Sequence, residues 1–566
     1  MAKQQIRMGK LGKPKGRALD PVALAEVLSL LGDEPRTADL LIEHLHKIQD
    51  HYGHITAHHL AALAAEMKLS QAEVFEVATF YHHFDVVKEG QTPPPPLTVR
   101  VCESLSCALA GSAGLIKSLT EGLGPDVRVQ TVPCVGRCAQ APLAVVGQRP
   151  IDHADLPAVQ QTIEQRNTDP VIGAYIGLAE YTAAGGYQLY RDCLAGRHTA
   201  EALIATMENS GLRGLGGAGF PVGRKWRIVA EQAGPRLIAV NIDESEPGTF
   251  KDRHYLERDP HRFLEGMLLA AWAVGVAQAY IYLRDEYAGC RQILQREIRL
   301  LQECGLYPLP EIHLRRGAGA YICGEESAMI ASIEGKRGLP RLRPPFVAQV
   351  GLFGQPTLVQ NMESFYWVRE LIERGPAWFA GHGRNGRQGL RSFSISGRVN
   401  KPGVHLAPAG ITVRQLIAEY CDGMQDGHEF YGYFPGGAAG GMLPASLGDL
   451  PLDFDTLNPH GCFIGSAAII VFSRHDRARD LALNAMQFFA EESCGQCTPC
   501  RVGAIKAADL MAKAEWDQSL LSELADVMSD ASICGLGQAA PNPLRGAMKH
   551  FPQEFTSAQE AEHERN

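Results

Sequence analysis

At 566 residues the chain is long enough for several domains, and a hydrophobic content of 45% supplies their cores. A net charge of −9 excludes a protein that binds nucleic acid through bulk electrostatics. The longest apolar stretch, Met267–Leu283, is interrupted by Gly275 and Gln278 and falls short of a membrane span, and no apolar run follows the basic start as a secretory signal requires. The expectation is therefore a cytoplasmic protein with neither membrane nor nucleic acid as a partner. Its 14 cysteines then read as thiolate–metal chemistry rather than disulfides.

In chain order, residues 1–19 form a basic, flexible tail with Lys3, Arg7, Lys10, Lys13, Lys15 and Arg17. Residues 20–92 predict a helical bundle, because Leu28, Leu30, Leu31, Leu40, Leu41, Leu45 and Ile48 recur near helical spacing and Ser70–Phe84 repeats the pattern. Pro93–Pro96 is a stiff boundary. Residues 97–165 read as a thioredoxin-like β-α-β-β unit: strand Leu97–Cys102, helix Ser112–Glu121, strands Val127–Val132 and Leu143–Val146.

Residues 166–390 read as an α/β domain, with helix Thr199–Ser210 and buried strands Arg236–Asn241 and Ala277–Leu283. Such strands between helices predict a parallel sheet that binds ligands at its C-terminal edge. Residues 391–475, rich in Gly and Pro, predict a small α+β domain, and residues 476–566 a helical one. The fold class expected is α/β multidomain.

Two cysteine quartets carry the chemistry. Cys494, Cys497 and Cys500 form C-x2-C-x2-C, and Cys534 follows after 33 intervening residues, a spacing that suits a [4Fe–4S] cubane. Cys102 and Cys107, then Cys134 and Cys138, place two pairs on two loops, as a [2Fe–2S] rhomb needs. Structural zinc is the competing reading of both sets. Cys193, Cys290, Cys304, Cys323, Cys421 and Cys462 are scattered and read as core residues.

Three further segments look like parts of one ligand site. Gly214, Gly216, Gly217 and Gly219 satisfy G-x-G-x-x-G, but the motif follows a helix rather than a strand, so a ligand-free helix-ending loop competes. Asn241–Arg253, at a strand end, contains Asp243, Glu244, Glu246 and Asp252, acids suited to ribityl or ribose hydroxyls; a solvated acidic turn competes. Gly317–Ser327 is a second glycine loop running into a helix whose bare N-terminal amides would suit an anion, against a purely structural turn. Arg341, Arg343 and Phe346 add cations and an aromatic to flank a dinucleotide, or form an ordinary extended loop.

Together Gly211–Trp226, Asn241–Arg253, Gly317–Ser327, Pro356–Glu363 and the C-terminal cysteines resemble the flavin-bearing NADH dehydrogenase module of respiratory complex I and its soluble relatives. Residues 20–150 resemble the small [2Fe–2S] subunit of that module, through His51–Ile55, Val77–Tyr81 and the first cysteine quartet. The fused arrangement resembles the β subunit of NAD-dependent molybdenum or tungsten formate dehydrogenases, on Tyr433–Ser446 and His460–Ile469, and is related to the diaphorase of NAD-reducing hydrogenases.

The resemblance implies a Rossmann-like FMN and NAD(H)-binding domain at 166–390 and a ubiquitin-like domain at 391–475, and FMN, NAD(H), one [2Fe–2S] and one [4Fe–4S] as cofactors. It implies FMN contacts at Gly214, Gly216, Gly217, Lys225, Asn241, Asp243, Glu244, Tyr321, Gly324, Glu325 and Asn361. It assigns Phe220, Glu246, Glu326 and Phe346 to the nicotinamide nucleotide, with Glu246 at the chemistry. Leu215 and Gln360 depart from the family's usual Arg and Asn. The activity implied is hydride exchange between NAD(H) and FMN, with electrons relayed to or from a metal–pterin formate dehydrogenase α subunit that carries further iron–sulfur clusters. A hydrogenase diaphorase, a complex I-like dehydrogenase and a flavin-free electron-transfer scaffold are the alternatives.

Overall fold

A computed structural model describes residues 16–305 and 307–555. Most of the expected basic tail lies outside them; within them, Arg17 pairs with Glu89 at 2.9 Å. The chain divides into two compact units, one up to Pro94 and one from Pro95 onward.

In the first unit, helices Pro21–Leu31, Leu41–Tyr52, Ala57–Met67 and Gln71–Ala78 bury Val27, Leu31, Leu45, Ile48, Leu63 and Val74 against one another. Each such apolar side chain contributes about 1.5–3 kcal/mol. The helix ends are set locally. Asp20 accepts from Val22 and Ala23 amides, Ser70 and Glu73 form a capping box, and Gly53 at φ +71 closes the second helix. The helical pattern expected through Phe84 stops at Ala78. A two-residue parallel pairing of β1 (Ile55–Thr56) with β2 (Val86–Val87) follows instead.

The second unit opens with β3 (Leu97–Cys102), β4 (Val127–Val132), β5 (Ala144–Val146) and β6 (Arg149–Ile151), in sheet order β4-β3-β5-β6. Helix Ser112–Gly122 is the crossover between the parallel β3 and β4, and Leu115 and Leu119 pack on Val99, Val101 and Val146. Because β3 and β4 are parallel with Cys102 opposite Val132, both cysteine pairs leave the sheet at the same edge. The short β6, absent from the sequence reading, is a hairpin partner too brief to show alternation.

Next come β7 (Arg236–Ile242), β8 (Val276–Leu283), β9 (Glu311–Arg316) and β10 (Thr357–Asn361), all parallel in order β10-β7-β8-β9. The chain steps from β7 to β9 in one direction and returns to the far side of β7 for β10. That reversal opens a crevice between β7 and β10 at their C-terminal ends. The apolar stretch at Met267–Leu283 is a buried helix, Pro260–Val274, running into β8; Asp259 and Pro260 start it and Gly275 at φ +72 ends it.

A mixed sheet follows, β11 (Leu390–Gly397), β12 (Gly403–Pro408), β13 (Phe430–Phe434), β14 (Leu443–Pro444) and β15 (Ala468–Ser473), ordered β12-β11-β15-β13-β14 and packed on helix Val413–Glu419. Helices Ala478–Glu491, Thr498–Met511, Gln518–Ala531, Gly535–Ala539 and Asn542–His550 complete the chain. No helix among the described residues is long and apolar enough to cross a membrane.

Candidate functional site

Asn241 at the end of β7 lies in register with Asn361 at the end of β10, and a cavity of about 330 Å³ opens beside them. That volume is at the small end for a ligand pocket. Gly216, Gly217, Asn241, Asp243 and Glu244 line it, as do Glu246, Tyr321, Gly324, Glu325 and Asn361. The glycines are steric requirements here. A Cβ on Gly216 would sit 3.0 Å from the Asn361 Cβ, and Gly217 holds φ at +127°.

The wall is rich in buried acids. Burial pushes the Asp243 carboxyl well above its ordinary range, and its Oδ2 has no hydrogen-bond partner among the described residues. Glu244 is pushed up to about 7 by burial and by the charge of Asp252, although the Asp252 and Arg253 amides and the Tyr287 hydroxyl donate to it. Burial also pushes Glu246 up to about 7, against donation from the Ala439 amide at 2.7 Å and from the Tyr321 hydroxyl. Lys251, also in the wall, is buried between Asp252 (2.7 Å) and Glu363 (3.1 Å). Burial lowers its pKa, but Asp252, Glu363 and Glu244 outweigh that and raise it.

These groups fit a ligand rich in hydroxyl and carbonyl groups: an orphaned buried acceptor, protonated carboxyls able to donate, an ammonium and two amides, beside bare glycine backbone. FMN has that chemistry.

The remaining nominated residues lie outside the cavity wall. Gly214 closes its loop by donating to the Phe220 carbonyl at 2.8 Å. Lys225 is half-buried and donates to the Val359 carbonyl at 2.9 Å, with Glu326 nearby. Phe220 and Phe346 are exposed aromatics, and Arg224 lies over the Phe220 ring. The helix Glu326–Ile333 differs from the expected anion site. The Glu325 carboxylate caps its Ser327 and Ala328 amides at 2.9 Å and is itself paired with Arg343, which also reaches Glu326, so those amides are not bare. Leu215 is buried in the core, and Gln360 turns away from the cavity to accept from the Trp226 indole at 2.9 Å. Neither family departure therefore touches the cavity.

Both cysteine quartets converge. Cys102, Cys107, Cys134 and Cys138 are buried together, with Cys134 Sγ 3.3 Å from Cys138 Sγ. Donation from Cys102 and Cys138 holds the Cys134 thiol well below its usual range, helped by Arg284 and the Gly136 amide. In the other set, Cys494 and Cys497 lie on a loop, Cys500 on the first turn of helix Thr498–Met511, and Cys534 at the N-cap of Gly535–Ala539. Burial pushes Cys534 up to about 11, with Cys494 and Cys500 adding to the shift. Four convergent thiols with amides beside them fit an iron–sulfur cluster in each place. The six remaining cysteines sit singly in the fold, five buried and Cys304 partly so.

The C-terminal set abuts the cavity, and the first set is tied to its acidic wall. Gly535, Leu536 and Ala539, immediately after Cys534, are part of its wall. Arg284 donates to the Cys134 carbonyl at 2.6 Å and also to the Glu244 carbonyl, and Arg253 donates to the Gly136 carbonyl at 2.8 Å, which ties the Cys134 loop to the acidic loop. Sequence reasoning did not nominate these contributors, nor Lys251, Ala439 and Ser466 in the wall. Lys251 and Arg253 carried a signal, since they sit inside the acid-rich segment; the others are brought in only by tertiary packing.

Comparison with known proteins agrees with this geometry. Residues 27–167 match the thioredoxin-like [2Fe-2S] ferredoxin model, residues 207–370 the Nuo51 FMN-binding domain, and residues 480–558 the NADH-ubiquinone oxidoreductase-F iron-sulfur binding region. The chain is 39% identical over 395 residues to the second F-type subunit of NADH-quinone oxidoreductase from Rhizobium meliloti (strain 1021), an alignment covering 67% of this chain and 94% of that one. It is 39% identical over 391 residues to the F-type subunit of the Aquifex aeolicus (strain VF5) NADH-quinone oxidoreductase, covering 66% and 90%. A chain of an NAD+-reducing [NiFe]-hydrogenase in its H2-reduced state superposes with a TM-score of 0.81 at 32% identity, covering 92% of both. With its FMN-binding, [2Fe–2S] and [4Fe–4S] domains, this protein belongs to the family of F-type NADH-quinone oxidoreductase subunits, the flavin subunits of complex I, and is related to the diaphorase of NAD-reducing hydrogenase.

Proposed function

We propose that the chain is a diaphorase that exchanges a hydride between NAD(H) and FMN and relays electrons through its two clusters. The observation that carries this reading is the shared wall: the residues after Cys534 and the acidic loop tied to Cys134 enclose one cavity. When bound, FMN takes an electron pair as a hydride and passes electrons on singly, and the clusters carry single electrons.

The protein's own work is to bind, orient and exclude water. Asn241, Asp243, Glu244, Lys251 and Asn361 would hold the flavin's polar groups, and the bare backbone at Gly216 and Gly217 lets it approach. Lys225 would lie toward the phosphate, and Phe220 and Phe346, exposed outside the cavity, would stack on the nucleotide's adenine. Glu246, which burial pushes up to about 7 and which Ala439 and Tyr321 fix, would position the nicotinamide nucleotide. The E246Q variant is expected to lose NADH turnover with ferricyanide while keeping its FMN; equal loss of both would remove Glu246 from that role.

For the partner, the formate reading rests on Tyr433–Ser446 and His460–Ile469. It makes this chain the β subunit of a cytoplasmic molybdenum or tungsten formate dehydrogenase, with residues 391–475 as its ubiquitin-like domain. The end-to-end likeness to a chain of an NAD+-reducing [NiFe]-hydrogenase favours a hydrogenase partner as the second reading.

The test is anaerobic purification followed by NADH addition under absorbance. Bleaching of flavin and iron–sulfur bands, with FMN released on denaturation, is expected. Iron without flavin, and no bleaching after reconstitution, would instead mark an electron-transfer scaffold. Formate-driven against hydrogen-driven NAD+ reduction by the co-purified complex then decides the partner.

A further inference from the structure

Three side chains in the first unit meet without any part in the flavin or cluster sites. His46 and Asp50 stand one turn apart on helix Leu41–Tyr52, and His83 comes from the segment between helix Gln71–Ala78 and β2. One ligand atom from each lies within 4.8 Å of the others. The His46 and His83 rings are 4.8 Å apart between centroids, and the Phe84 ring backs His46 at 4.9 Å.

We propose that His46, Asp50 and His83 form a binding site for a divalent transition-metal ion, zinc-like in its preference, that fastens helix Leu41–Tyr52 to the segment leading into β2. Two imidazoles and one carboxylate are donors that zinc and its late first-row neighbours prefer; calcium and magnesium take oxygen ligands instead. With Zn–N and Zn–O distances of about 2.0–2.1 Å, tetrahedral ligand atoms stand roughly 3.3 Å apart. A trio already within 4.8 Å needs only a small contraction. Three protein ligands leave a fourth position for water, and it opens outward: His46 is buried, His83 half-buried and Asp50 exposed, so an ion can enter from the Asp50 side.

The placement gives the ion a purpose. The β1–β2 pairing is only Ile55–Val86 and Thr56–Val87. The adjoining polar tie is Gln49, which accepts from the Asp85 amide at 2.9 Å and donates to the Gly53 carbonyl. A metal bridging residues 46, 50 and 83 closes the long loop through the third and fourth helices beside the two-residue β1–β2 pairing, and its binding free energy adds to the stability of the folded unit.

The test uses the whole chain with its flavin and clusters. Wild type, D50N and H83Q are equilibrated anaerobically with micromolar zinc sulfate and desalted, and zinc, iron and FMN are measured together. About one zinc more per wild-type chain than in H83Q is expected, with D50N reduced and with iron and FMN equal in all three. Added zinc should raise the thermal midpoint of wild type alone. Equal zinc in wild type and both variants, with iron and FMN intact, would overturn the proposal and leave an ion-paired trio only. If H83Q fails to fold, D50N decides, because its exposed amide preserves size and packing.

Discussion

Glu246 is a carboxyl whose folded value lies near 7 against an ordinary value of 4.5. The unfolded chain releases that proton above about pH 4.5, whereas the folded chain holds it until about 7. Its contribution to stability is therefore complete below 4.5 and lost as pH rises through 7, by about 3 kcal/mol at most. Glutamine cannot titrate, so the melting temperature of E246Q minus that of wild type should grow between pH 5 and pH 8; a difference flat with pH would refute the shift. Lys251 is the opposite case. It neutralises Asp252 and Glu363 in a buried cluster, and K251M would strand both. A loss of about 3–5 kcal/mol is expected, read as a lower melting temperature together with lost FMN. An unchanged melting temperature would mean that the acids take up protons at no cost.

At the scale of elements, the positions of chain reversals decide where chemistry collects. Helix Gly535–Ala539 packs so closely that a Cβ on Gly537 would lie 2.9 Å from the Cys500 Cβ and 2.5 Å from Ser532 Oγ. G537V should thus lower iron from about six to about two per chain, with the [2Fe–2S] signal in electron paramagnetic resonance retained. Loss of both signals would point to global misfolding. The same scale shows what the sequence reveals. Strand Leu97–Cys102, strand Val127–Val132 and helix Thr199–Ser210 were legible to within a residue, because alternation and the Thr199 cap are local signals. The capped N-terminus at Glu325 was not, because nothing in the spacing shows that its carboxylate folds back on its own helix. The resemblance grouped Gly214, Phe220 and Lys225 with Gly216 and Gly217, yet the loop places only the last two in the cavity wall.

Across the whole molecule, cysteine spacing and glycine loops identify the parts, and their mutual placement comes from the fold. The walls given by Ala439, Ser466 and Leu536 belong to stretches hundreds of residues from the glycine loop, beyond the reach of periodicity. The two cluster sites meet the cavity through different segments, so they should be separable. C107S is expected to abolish the [2Fe–2S] signal while NADH still bleaches the flavin in a single turnover. Loss of flavin bleaching in C107S would mean that the Cys134 loop, through Arg284 and Arg253, is needed to shape the acidic loop.

The wall supplied by residues 535–539 also predicts an order of maturation. The segment begins at Cys534, which lies beside Cys494 and Cys500. Until iron and sulfide join the four cysteines, that side of the flavin chamber is held only by the packing of Gly537 on Cys500 and Ser532. Iron–sulfur delivery should come first and flavin capture second. Chains made under iron starvation should then emerge poor in both, and supplying FMN alone should not restore them. Full flavin occupancy in iron-free chains would show that the chamber closes without its metal neighbour.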